Sequence, residues 1–294
     1  MQSSLARVGK SVPELPSQLA SSAAKTRTIE VERIAKIYLT RTKKVWAIRD
    51  VTFAVNKGEF VALVGPSGCG KSTVLNIIAS FLAPTEGAIR VNGRLVKEGL
   101  IPEGLGYIFQ KDTVLPWYTV RKNIGLGFWY RGISPKVTDE RVESLLQLAG
   151  LQGYGDVYPH QLSGGMRQRV ALLMTLACEP QIVLLDEPFG ALDTHTKVLL
   201  HRELLDIWEK LGQTIVMVTH DLDEAVSLSD RVIVLSSPPS SVILDHRIDI
   251  PRPRDVFTIR ETAAFAEHSQ VVWRVLGREF KHTGMAVESG VHFQ

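Results

Sequence analysis

The chain has 294 residues, 45% hydrophobic and 22% charged, an ordinary globular balance that suits one large α/β domain or two small ones. A net charge of +3 is too weak to argue for nucleic acid, and the longest apolar run, VALLMTLAC from Val170 to Cys178, is far too short to span a bilayer. The two cysteines, Cys69 and Cys178, lie in settings that disfavour a structural disulfide, which suits a reducing compartment.

Residues 1–28 are rich in Ser, Ala and Pro and contain no apolar core segment, so they read as a flexible extension and not as a signal peptide. AKIYLT then offers Tyr38, with Trp46 a little further on. GEFVALVG is a short apolar run bounded by turn residues, as a buried parallel strand requires. It leads into VGPSGCGKST, a G-x-x-x-x-G-K-[ST] pattern carried by Gly65, Gly70, Lys71 and Ser72. Glycines let a backbone approach a ligand closely, and successive N–H groups in such a loop cradle phosphate oxygens. KSTVLNIIAS reads as the helix that follows, its start favouring an anion. Lys71 would reach the terminal phosphates and the Ser72 hydroxyl would ligate Mg²⁺. Cys69, beside Lys71 and just before that helix, is expected to be a reactive thiol.

YIFQKD ends a strand with Gln110, a neutral group suited to touching Mg²⁺ and water. From about 112 to 179 the rhythm changes to helices, in TVRKNIGLGFWYRG, VTDERVESLLQLAG and GGMRQRVALLMTLA, read as an insertion. Ser163 fits the N-cap of the last of these, as a serine commonly does. Yet Gly164 and Gly165 in its first turn cost about 1 kcal/mol each relative to Ala, which suggests an anion approaching the backbone. No second lysine-bearing loop is present to bring that anion, so it would be a nucleotide held by another copy of the chain.

QIVLLDEP, QTIVMVTH and DRVIVLS repeat the buried-strand style. Between the first two lies a helix with Leu200, Leu204, Ile207, Trp208 and Leu211 at helical spacing and Gly212 at its stop. Strand–helix–strand order implies a parallel sheet with helices on its faces. Asp186 ends one strand as a candidate metal carboxylate, and Glu187 follows it where a group could orient or deprotonate the attacking water. His220 ends another strand, where it could sense a γ-phosphate; a lone histidine is also a common structural residue. SSPPSSVILDHRIDIPRPRD holds a short strand, and IRETAAFAEHSQVVWRVLGREF looks helical, with frayed residues after it.

Together these motifs resemble the nucleotide-binding subunit of the ATP-binding cassette transporters. GPSGCGKST looks like its Walker A, Gln110 its Q-loop, LSGGMRQ its signature, VLLDE its Walker B, Ala191 to Asp193 its D-loop and His220 its switch histidine. The resemblance covers about residues 29 to 250 and implies a P-loop NTPase of α/β class. Its RecA-like core, with a mainly parallel sheet and an N-terminal antiparallel β region, would take about 29–111 and 180–250. The helical subdomain would take about 112–179, and 251–294 would be a short helical extension. It implies a head-to-tail homodimer with two ATPs sandwiched between subunits. ATP would be held by Gly65, Pro66, Ser67, Gly68, Cys69, Gly70, Lys71, Ser72 and Thr73 of one copy and by Ser163, Gly164, Gly165 and Asp193 of the other. Mg²⁺ would sit on Ser72, Gln110 and Asp186, and catalysis would fall to Glu187, His220 and Gln110. An aromatic of the first strand region, Tyr38 or else Trp46, would stack on adenine.

DTVLPWYTVRKNIGLGFWYRG, VIVLSSPPSSVILDHRIDIPRPRD and the short tail are similar to the nitrate/sulfonate/taurine branch of bacterial importers. That branch implies an integral-membrane permease, a periplasmic substrate-binding protein and a peripheral position on the cytoplasmic face of the inner membrane. ALLMTLACEP departs from the branch by removing a charge from the helix after the signature. The permease contact is expected in the insertion, at Leu115, Pro116, Trp117, Trp129 and Tyr130, about half of which ordinary burial would place in the core. The competing class, a soluble cassette protein acting as a switch outside transport, usually carries two cassettes or a long coiled-coil insertion, and neither is seen.

Overall fold

The computed structural model describes residues 26–39, 43–110, 113–190 and 192–282. Nearly all of the N-terminal extension, Ala191 of the D-loop and the end after 282 lie outside the described residues. Two long strands, β1 (Arg27–Leu39) and β2 (Lys44–Asn56), pair as an antiparallel hairpin. β3 (Phe60–Val64) follows and leads through the glycine loop into α1 (Lys71–Ile78). β4 (Glu86–Val91), β5 (Arg94–Leu95) and β6 (Leu105–Ile108) come next.

The expected helical run is α2 (Val120–Tyr130), α3 (Pro135–Leu148) and α4 (Gly164–Leu176). β7 (Ile182–Asp186), α5 (Thr194–Leu211), β8 (Thr214–Val218), α6 (Leu222–Leu228) and β9 (Arg231–Leu235) then alternate. β10 (Ser240–Arg247) and α7 (Ala263–His282) complete the order. Gly212 caps α5 with φ 62°, the left-handed conformation that glycine adopts without steric cost.

The strands join in one sheet, ordered β5-β4-β1-β2-β10-β9-β3-β8-β7-β6. Strands β9, β3, β8, β7 and β6 form a parallel block, whereas the neighbouring pairs β2–β1, β1–β4 and β4–β5 are antiparallel. The block therefore brings the ends of β3, β8, β7 and β6 side by side, the edge where α/β sheets bind ligands.

Alternation along β3 explains the two-sided core. Phe60, Ala62 and Val64 pack with α5, α6 and α7, while Val61 and Leu63 pack with α1 and the antiparallel strands. A third cluster belongs to the helical run, with Ile124 and Phe128 of α2, Val142 and Leu146 of α3, and Val170 and Leu173 of α4. The C-terminal helix is not an appended arm, because Phe265, Val272 and Leu276 are buried in the main core. Its approach is fixed by the PRPR stretch. Arg252 stacks over Trp208 at 4.0 Å, and the buried Arg254 donates to the carbonyls of Val226, Ser227 and Ser229 at the end of α6.

Candidate functional site

The phosphate loop connects fully buried β3 to α1. At Gly65 a Cβ would lie 2.8 Å from the Leu235 carbonyl oxygen and 2.9 Å from Cys69 Sγ, so only glycine fits. Gly70 caps α1 with φ 95°. Lys71 Nζ donates to the carbonyls of Gly65 (2.8 Å) and Pro66 (3.1 Å), which folds the ammonium across the loop. Ser67 and Gly68 are exposed at its tip. The expectation for Cys69 is corrected. Its thiol is buried beneath the loop, and burial pushes it up more strongly than the charge of Lys71 pulls it down. Its N–H is also used inside the loop, donating to Pro66 O at 3.2 Å.

Ser72, in the first turn of α1, donates to Asp186 Oδ1 at 2.7 Å. Asp186 Oδ2 accepts from the Tyr107 phenol at 3.1 Å. Burial and the neighbouring carboxylate push that phenol well above its usual range, so it remains a donor. Among the described residues no three His, Cys, Asp or Glu side chains gather into a metal cage. A hydroxyl beside one carboxylate is instead an oxygen donor set that phosphate oxygens and water would complete, which is the habit of Mg²⁺.

One residue further on, Glu187 has φ 45°, a conformation costly for a non-glycine residue. Gln110 Nε2 donates to Glu187 Oε2 at 2.9 Å, and His220 Nδ1 lies 3.3 Å from the same oxygen. Three side chains expected to act together thus meet at one carboxylate oxygen, delivered by the ends of β6, β7 and β8. The His220 turn has its own brace. Thr219 Oγ1 donates to buried Glu224 (2.5 Å) and accepts from Asp221 N (3.0 Å), and Lys197 Nζ lies 3.3 Å from Glu224.

Ser163 caps α4 as expected, its hydroxyl accepting from Met166 N at 3.3 Å. Ser163 and Gly164 are exposed, with no more than ordinary contacts around a Cβ at Gly164. The two glycines are not equivalent. A Cβ on Gly165 would meet Thr196 Cγ2 at 2.4 Å, so packing against α5 already accounts for that glycine without an anion. Asp193 caps α5, accepting from Thr196 N (3.0 Å) and Thr196 Oγ1 (2.7 Å), and these hydrogen bonds hold its carboxyl below the usual range.

Tyr38 and Trp46 lie on opposite faces of the β1–β2 hairpin, since Tyr38 pairs with Val45 and Ile37 with Trp46. Tyr38 faces the loop, its hydroxyl 3.3 Å from Thr73 Oγ1. In the insertion Pro116, Trp117, Trp129 and Tyr130 are exposed and Leu115 is half-buried, a more open set than burial frequencies suggest.

Sequence reasoning missed Tyr107 and Asn123. Asn123, buried in α2, accepts from Leu115 N and donates to the carbonyls of Leu115, Tyr118 and Thr119, which shapes the loop carrying Trp117. A polar residue on the apolar stripe Val120, Ile124, Phe128 was the available signal.

A glycine loop between a buried strand and a helix, with serine, aspartate and glutamate at its mouth, defines a P-loop nucleoside triphosphatase. The family model described as ABC transporter matches residues 48–190. Over 251 residues the chain is 43% identical to the uncharacterized ABC transporter ATP-binding protein MJ0412 of Methanocaldococcus jannaschii, a match covering 85% of this chain and 92% of that protein. It is 38% identical over 261 residues to the nitrate import ATP-binding protein NrtD of Synechocystis (87% and 97% covered). It is 36% identical over 236 residues to the aliphatic sulfonates import ATP-binding protein SsuB of Bacillus cereus (80% and 92% covered). Among solved structures, a dimeric post-hydrolysis state of the cassette MJ0796 bound to ADP and Pi superposes with a TM-score of 0.67 at 32% identity, covering 76% of this chain and 100% of that one. The chain belongs to the ABC transporter family, as an ATP-binding ATPase subunit.

Proposed function

We propose that the chain hydrolyses ATP to drive import of a small anion, such as nitrate, a sulfonate or taurine. In this reading it works as a head-to-tail homodimer on the cytoplasmic face of the inner membrane, beneath a separate permease supplied by a periplasmic binding protein. The observation that carries the proposal is the meeting of Gln110, Glu187 and His220 at one oxygen, beside the Ser72–Asp186 pair.

The residues divide the work. Lys71 turns from the loop carbonyls to the terminal phosphates, and the loop N–H groups hold the others. Ser72 and Asp186, with Gln110 at their edge, would hold Mg²⁺, which neutralises charge on the β- and γ-phosphates. Glu187 takes the proton of the attacking water as the new O–P bond forms and the bond from γ-phosphorus to the ADP oxygen breaks. Gln110 and His220 fix the carboxylate and contact the γ-phosphate. Ser163 and Gly164 close on that phosphate from the second copy, and Asp193 lies at the same junction. Tyr38 stacks on adenine.

No helix among the described residues is long and apolar enough to cross a membrane. The docking ground of the permease is the groove of ≈ 500 Å³ lined by Tyr118, Leu126, Trp129 and Ile133, with Trp117 and Tyr130 exposed nearby. The test is purification of the tagged chain from membranes. A multi-span protein should co-purify, and reconstituted ATPase activity should rise with loaded binding protein. Recovery from the soluble fraction alone, with full activity there, would contradict transport.

A further inference from the structure

The two oxygens of Asp186 have different partners. Oδ1 accepts from Ser72 at 2.7 Å and Oδ2 from the Tyr107 phenol at 3.1 Å. The phenol oxygen also lies 3.0 Å from Asn76 Oδ1. Ser72 and Asn76 sit one turn apart on the same face of α1. Tyr107 is on β6, beside β7, and pairs with Leu184. The four side chains close a ring from helix to strand, to the next strand and back to the helix. The phenol has one proton to donate, and an ionised carboxylate is the stronger of its two acceptors.

We infer that Tyr107 is a positioning residue for the divalent-cation site, its hydroxyl locking the rotation of the Asp186 carboxylate so that Oδ1 stays turned toward Ser72. The inference rests on the reading of Ser72 and Asp186 as that site. The last torsion of an aspartate is broad, so a carboxylate held by one oxygen swings, whereas one held by both does not. Partners that orient a ligating carboxylate change metal affinity about 10–100-fold when removed. The rest of the tyrosine has a separate role. Its ring packs against Phe81 (5.3 Å between centroids) and Phe109 (4.4 Å), and phenylalanine would preserve both contacts.

The experiment uses the full chain carrying Glu187→Gln, so that bound ATP is not consumed, and measures ATP affinity by calorimetry in chelator and across a Mg²⁺ titration. Adding Tyr107→Phe should leave affinity in chelator unchanged and raise the Mg²⁺ concentration for half of the enhancement about tenfold. A merely structural role would weaken ATP binding equally with and without Mg²⁺, and that result overturns the inference, as does an unaltered Mg²⁺ response. Asp186→Asn in the same background separates the cation site itself from the role of Tyr107. If it abolishes the Mg²⁺ response while Tyr107→Phe leaves it untouched, only the role of Tyr107 fails. If Asp186→Asn itself has no effect, the cation site is elsewhere and both readings fall.

Discussion

Two glycine-bearing turns precede helices in this chain, and they are built differently. The loop from Gly65 to Lys71 is internally complete, with its lysine folded onto its own carbonyls and its glycines pressed against Leu235, Cys69 and Ile48. The turn from Ser163 to Gly165 is half finished. Gly165 is committed to Thr196 of α5, while Ser163 and Gly164 are exposed, and the guanidinium beside them, that of Arg167, donates to the Leu162 carbonyl at 2.7 Å. The difference teaches that one site can hold a nucleotide by itself and that the other needs one brought to it. Ser163 alone would not show this, since a serine cap is ordinary; the exposed Gly164 next to it is the informative residue.

The contrast breaks most sharply in hydrolysis. Lys71→Ala should abolish ATP binding by the isolated chain. Ser163→Arg should leave that binding intact and lower steady-state ATPase by at least about 100-fold, the scale on which one transition-state contact acts. Equal binding losses in a filter assay would mean that both turns touch the same copy's nucleotide. A smaller effect separates the paired glycines. Gly165→Ala should destabilise the fold by about 1–3 kcal/mol, because Thr196 cannot rotate away without breaking its bond to Asp193. Gly164→Ala should not destabilise it, and adding Thr196→Ser should recover much of the Gly165→Ala loss in thermal melts. Failure of that rescue would return Gly165 to a ligand role. The smallest effect concerns the base. Tyr38→Ala should weaken ATP binding several-fold, consistent with about 0.5–1.5 kcal/mol for an aromatic contact, and Trp46→Ala should not. The reverse result would place adenine on the other face of the hairpin.

What was legible in the sequence was what local pattern controls. Four apolar runs bounded by turn residues became β3, β7, β8 and β9, and the helical spacing of Leu200 to Leu211 became α5 with Gly212 at its stop. Candidate residues at strand ends converged because a parallel sheet aligns those ends. The illegible parts depend on partners distant in the chain. Tyr107 sits in a strand of four residues, too short to show which neighbour it serves, and its partners Asn76 and Asp186 lie on either side of it in sequence. The local cue at Cys69 is Lys71 two residues on, yet the packing of β2, β3 and β9 against the loop decides its environment. The immediate neighbours of Gly165 carry no sign of its constraint, which comes from Thr196 on another helix.

The central claim is that two copies share two nucleotides, each bound by the complete loop of one and closed by the exposed turn of the other. Glu187→Gln keeps the shape of the side chain while removing the proton acceptor. Size-exclusion chromatography with light scattering, with and without MgATP, then reads the claim directly. The variant should run as a monomer alone and as a dimer with MgATP, and adding Ser163→Arg should return it to monomer while it stays folded, with only the small fall in melting temperature that loss of the α4 cap brings. A Glu187→Gln protein that binds MgATP tightly yet stays monomeric, both alone and when assembled on its permease, would contradict the account.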